Sequence, residues 1–190
     1  MNLSKVFLVS QLCAAASSMS LRGSNSNERE LGTRIIGGDE ATEGRYSYAV
    51  SLQDEVGHFC GGSLIAPDVV LSAAHCAGGE YKVITGRHRL ETTDGDKVDV
   101  KDEMMHPDYD SDTTDNDFML IFLERSTSAD VELVHVSSDV VSEGTDVTVM
   151  GWCDTNKDKD IKELATELME VEVTVISHEE CEKSESVEQG

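Results

Sequence analysis

The sequence predicts an all-β fold, a sandwich or a barrel, and three features of the chain point there. From Ile35 onward, short apolar runs of strand length alternate with connections marked by Gly and Asp. Several runs carry β-branched or aromatic residues, which suit a pleated, half-buried surface. One clear helix signal occurs, and it comes late. The runs cover 47–52, 63–65, 69–74, 81–85, 118–123, 147–152 and 168–176. After the last of them, Ser177 with Glu180 three positions on makes a capping box. Asp and Glu crowd the stretches 91–102, 108–117 and 154–163, which read as solvated acidic connections. No internal repeat is visible.

The region before Ile35 has a different texture. Lys5 precedes an apolar run over 6–16, and Ala14, Ala15, Ala16, Ser17 and Ser18 supply small residues for cleavage. This is the pattern of a secretory signal peptide, assigned to residues 1–18. The run is too short to cross a membrane, which takes roughly 20 apolar residues. Residues 19–34 are polar and aperiodic and read as a propeptide. The expected product is therefore secreted and extracellular, with no membrane partner. Export places the cysteines in an oxidising compartment, where disulfides are the default. Cys13 leaves with the signal, so Cys60, Cys76, Cys153 and Cys181 remain.

Charge narrows the function further. The chain holds 38 Asp and Glu against 15 Lys and Arg, a formal net charge of -23. A nucleic-acid binder needs a basic face, so that class is excluded. At 38% hydrophobic residues the chain can still fill a core.

Two residues stand out as carriers of chemistry. His75 follows a strand-like run and sits beside Cys76; taken alone it reads equally as structural or catalytic. Asp117 opens the run 118–123, placing a charge at the mouth of a strand. The other histidines, His58, His88, His106, His135 and His178, have no metal-ligand spacing, and most of them read as surface or strand-end residues.

HFCGGSLIAPDVVLSAAHC, from His58 to Cys76, resembles the histidine region of trypsin-like serine proteases, the chymotrypsin family. RIIGG at Arg34 to Gly38, DNDFMLIFL at Asp115 to Leu123 and VMGW at Val149 to Trp152 follow in the family's order. The resemblance implies a chymotrypsin-like fold of two β-barrels, the first complete over 35–136 and the second incomplete over 137–190. It implies that His75 is a general base and Asp117 the carboxylate that orients it. It also implies a disulfide from Cys60 to Cys76, and a zymogen activated by a protease that cuts after Arg34 to free the amine of Ile35. Substrates would be proteins or peptides, protease inhibitors would be partners, and the enzyme would be a monomer with no cofactor.

The departures are as informative. The family's nucleophile lies in a GDSGG motif, which these residues lack, and GGS at Gly61 to Ser63 belongs to the histidine side. Residues 35–190 also fall short of the roughly 200 to 250 expected of a complete two-barrel enzyme. The expectation is a chain that stops before the nucleophile and is inactive as written. Cys181 matches a position whose family partner lies further on, and Cys153 has no family partner. The bracketing carboxylates of the family's calcium loop fall on Arg87 and Lys97, so no metal is expected there. Asp108, Asp110 and Asp112 mimic an EF-hand start, but Thr113 replaces its glycine. The alternative reading is a non-catalytic homologue that acts as a binding protein.

Overall fold

The structure, a computed structural model, describes residues 38–152, 165–177 and 179–181. The signal peptide, the propeptide, Arg34 and Ile35 lie outside the described residues, as does Cys153.

Among the described residues nine strands form, and all but three of them close one barrel. After the two-residue strand β1 (Asp39–Glu40) come β2 (Ala49–Gln53), β3 (His58–Ala66) and β4 (Val69–Ser72). A 3₁₀ turn (Ala74–Cys76) leads to β5 (Lys82–Thr85), β6 (Asp96–Met105) and β7 (Met119–Leu123). These strands close in the order β2-β3-β4-β7-β6-β5, every neighbouring pair antiparallel. Val50, Leu52, Leu64, Val70, Val83, Val98, Met119 and Ile121 fill the interior. Closure removes free edges, so the hydrophobic core has no exposed rim along its strands. Gly62 serves this packing: a Cβ there would lie 2.7 Å from a methyl of Val70 and 3.0 Å from the Leu71 carbonyl.

β8 (Asp146–Gly151) and β9 (Met169–Thr174) pair with each other, and β1 adds to β9 through Asp39↔Glu170 and Glu40↔Met169. The result is a three-stranded sheet in the order β1-β9-β8. It meets the barrel through Met150, Trp152 and Leu168, which join the barrel's core cluster, and through polar contacts. The Trp152 indole N–H and the Leu168 amide both donate to the His88 carbonyl, at 2.9 Å each. Tyr46 and Arg45 hold Glu170 of β9, and Arg89 holds Glu40 and Glu167.

All seven expected strands are present, shifted by a few residues at their ends. The 63–65 run is the core of a longer β3, which begins at His58 and runs through Gly61 and Gly62. One expectation is overturned. The stretch 91–102 is not a solvated connection throughout, because β6 starts at Asp96. Its period-2 signal is carried by Val98 and Val100, which point inward between outward Lys97, Asp99 and Lys101. Charge on the outer face masked the strand. Half of the capping box is present: the Glu180 amide donates to Ser177 Oγ at 3.2 Å, ahead of the helical residues 179–181.

Candidate active site

The turn that carries His75 is built from small residues. Ala73 and Ala74 are both buried, so the chain leaving β4 lies flat on the barrel wall. The Cys76 and Ala77 amides close the turn onto the carbonyls of Ala73 and Ala74. Ser72 Oγ at the end of β4 donates to the Gly61 carbonyl on β3, and the Cys60–Cys76 disulfide ties β3 to the turn itself across a Cα–Cα distance of 6.2 Å. The imidazole thus rises from a turn fixed covalently on one side.

Asp117 arrives from the opposite direction. Asn116 adopts a left-handed φ of 56°, and the Phe118 amide bonds the Asn116 carbonyl at 2.8 Å, a tight turn centred on Asp117 just before β7. The carboxylate is buried and both oxygens face His75. Oδ1 accepts the His75 backbone N–H at 2.8 Å, and Oδ2 lies 2.6 Å from ring Nδ1. An ionised carboxylate only accepts, so Nδ1 carries the proton and Nε2 presents a lone pair. The His75 side chain is 22% exposed against 5% for Asp117, so the imidazole is accessible while its partner is shielded. A shielded acceptor, held at two points, fixes tautomer and ring orientation together. That is the arrangement a general base needs.

His58 is a strand-end residue, though an enclosed one, and His88 departs from the surface reading. His58 opens β3 with Nδ1 2.7 Å from Ser51 Oγ and its ring edge-on to Trp152 at a centroid distance of 5.6 Å. Burial pulls its pKa down to about 4. Ser51 is fully buried and also accepts from Gln53 Nε2, so this Ser–His contact lies inside the barrel wall and offers no nucleophile to solvent. His88 is buried as well, with Nε2 3.0 Å from Glu40. Nothing in the residue spacing signals either pairing; both depend on contacts between separate elements. Sequence reasoning also passed over Glu103 and Tyr81, which flank the His75 turn.

Metal-type side chains gather at one place among the described residues, Cys60, His75 and Cys76, where the disulfide already consumes both thiolates. In the loop after β5, the Arg87 guanidinium donates to the Asp94 carbonyl at 3.0 and 2.8 Å, so a side-chain cation bridges that loop. Asp110 Oδ1 accepts the Asp112 amide at 2.8 Å, capping its own turn. Among the described residues no helix is long and apolar enough to cross a membrane.

Comparison with known proteins decides the family. Residues 35–190 match the family model described as trypsin. The chain belongs to the trypsin family. Trypsin-3 of Salmo salar is 41% identical over 123 residues, covering 63% of this chain and 51% of its own length. Trypsin-10 of Gadus morhua is 33% identical over 155 residues, covering 80% and 63%. The chain thus spans about half to two thirds of the length of the curated relatives it matches. A solved structure of neuropsin, a serine protease expressed in the limbic system of mouse brain, superposes with a TM-score of 0.73 at 26% identity, covering 78% of this chain and 68% of that one. The closed barrel with a partial second sheet is a chymotrypsin-like fold, and the Cys60–Cys76 disulfide of the expectation is present.

Proposed function

We propose that this chain carries the base half of a secreted trypsin-type serine endopeptidase, made as a zymogen and activated by a protease that cuts between Arg34 and Ile35. The single observation that carries the reading is the double hydrogen bond from His75 to Asp117. In the proposed mechanism His75 Nε2 takes the proton of a serine hydroxyl as that oxygen attacks a peptide carbonyl. The imidazolium then returns the proton to the leaving amine, and Asp117 stabilises the charged ring throughout. Substrates are proteins or peptides, protease inhibitors compete for the same cleft, and the enzyme works as an extracellular monomer. Residues 1–18 serve as signal and 19–34 as propeptide, with 35–136 the first barrel unit and 137–190 part of the second.

Acyl transfer needs a nucleophile. These 190 residues contain no GDSGG, and among the described residues no serine is hydrogen-bonded to the His75 ring. The 190-residue chain is therefore inactive by itself in this reading. A fluorophosphonate probe, which reacts only with an activated serine, should leave it unlabelled after cleavage at Arg34; labelling would overturn the inactivity. Sequencing the transcript beyond the Gly190 codon tests the endopeptidase reading. A downstream GDSGG supports it, and a stop codon with no such motif in any frame sinks it.

The second reading, a non-catalytic homologue that binds protease substrates or inhibitors, is favoured by the closure of the first barrel. A sharp, cooperative thermal transition of residues 35–190 would favour it. Aggregation or partial unfolding would favour the first.

A further inference from the structure

We propose that Glu103 is a positioning residue for His75, gripping the exit of the histidine turn as Asp117 grips the histidine itself. This inference rests on the reading of His75 as the base. Glu103 lies on β6, opposite Ile121 of β7, on the strand beside the one that Asp117 precedes. Its neighbours Asp102, Met104 and Met105 are exposed, whereas Glu103 is half-buried against the loop 77–81. Its carboxylate accepts the Gly78 amide at 3.1 Å and the Tyr81 hydroxyl.

Those two donors bracket the segment through which the chain leaves His75. Gly78 and Gly79 follow in succession with φ of 95° and 84°, left-handed positions that two glycines reach without strain but do not hold by themselves. Two bonds to one carboxylate, each strengthened by its charge, supply the missing restraint. Tyr81 extends the grip further. Its ring stands edge-on to Phe59 at a centroid distance of 5.3 Å, and Phe59 precedes Cys60, the disulfide partner of Cys76. Burial and the neighbouring Glu103 push the Tyr81 phenol well above its ordinary pKa, so it remains a donor. Contacts thus run from Glu103 through Tyr81 and Phe59 to the disulfide, and through Gly78 directly to the turn. Asp117 thus holds His75 itself, and Glu103 holds the segment that follows it, at Gly78 and Tyr81.

Nuclear magnetic resonance on the full chain tests the proposal without requiring activity. The reporter is the His75 Nδ1 proton, shifted downfield by its bond to Asp117, together with hydrogen exchange at the Gly78 amide. In Glu103→Ala the Gly78 amide should exchange at least tenfold faster and the Nδ1 resonance should broaden or split. Glu103→Gln, which keeps an acceptor at the same place, should restore a single line. A sharp, unshifted Nδ1 resonance in Glu103→Ala, with Gly78 exchange accelerated, would show that Glu103 braces the loop alone and would overturn the proposal. Because the reporter reads geometry, that failure is distinct from failure of the endopeptidase reading, which the transcript decides.

Discussion

The barrel and the three-stranded sheet are both antiparallel, yet their strands are paired differently. In the barrel each of the six strands has two partners, and the side chains between them are excluded from solvent on all sides. In the sheet β9 has two partners, but β1 reaches only two residues along it and β8 pairs on one side only among the described residues. The sheet joins the barrel through apolar packing of Met150, Trp152 and Leu168 into the barrel's core cluster and through polar contacts: Glu170 with Arg45 and Tyr46, Glu167 and Glu40 with Arg89, Trp152 with the His88 carbonyl. The histidine and its aspartate both belong to the closed unit. The His75–Asp117 contacts therefore lie within the barrel unit and not at the junction.

The largest test of this contrast compares one truncation in each region. Leu64, at 0% exposure, and Leu168, at 3%, are both buried leucines. Leu→Ala in a close-packed interior costs about 2–5 kcal/mol, and the cost depends on how well the site can collapse. Leu64→Ala should fall toward the upper end, because the closed barrel cannot relax, and Leu168→Ala toward the lower. Denaturant unfolding followed at Trp152 measures both. Equal losses in a single transition would mean that barrel and sheet unfold as one unit. Next in size is Cys60→Ser with Cys76→Ser. The bridge spans a sequence separation of 16, so chain entropy assigns it about 3 kcal/mol. The loss should appear in the barrel transition, and an unchanged midpoint would show that hydrogen bonds alone fix the turn.

Strands facing an apolar interior on one side and mixed residues on the other were legible in the sequence, because Val, Ile and Leu at period 2 leave a clear trace. β6 was not, since six of its ten residues, from Asp96 to Met105, carry charge and only Val98 and Val100 report its buried face. β1 was missed because two residues cannot show a period. His75 and Asp117 were named from the motifs that surround them, 42 positions apart in the chain. Ser51–His58, His88–Glu40 and the grip of Glu103 on Gly78 and Tyr81 were invisible for a common reason. Each joins residues from separate elements, so the pairing follows from barrel closure and register, neither of which any local pattern encodes.

A third prediction uses pH on the barrel side of the comparison. His58 has its pKa lowered to about 4 by burial, against an unfolded value near 6.5. Between those values the unfolded chain binds a proton that the folded chain does not, so stability falls as pH drops from about 6.5 to 4 and is flat in this contribution above. The span corresponds to about 3 kcal/mol. His58→Gln should flatten that limb of the stability profile, and an unchanged acid slope would show that His58 is solvated in the folded state.

The smallest effect belongs to the junction. The Arg45 side chain is 49% exposed and donates to Glu170 at 3.0 Å, while its guanidinium carbon sits 5.1 Å from the centre of the Tyr46 ring. Exposed ion pairs contribute about 0.2–1 kcal/mol, and salt screens them. Arg45→Ala should therefore lower stability by a few tenths of a kcal/mol at low salt and by less at high salt. The Tyr46 hydroxyl still holds Glu170 in that variant, so Arg45→Ala with Tyr46→Phe is the sharper comparison. Removing both donors leaves the Glu170 carboxylate, only 18% exposed, without them against β9. If the sheet is docked by these polar contacts, the double variant should loosen β8 and β9, seen as faster amide exchange there, while the His75–Asp117 bond in the barrel stays as it was. Loosening of both together would erase the distinction between a self-sufficient barrel and a sheet that depends on it.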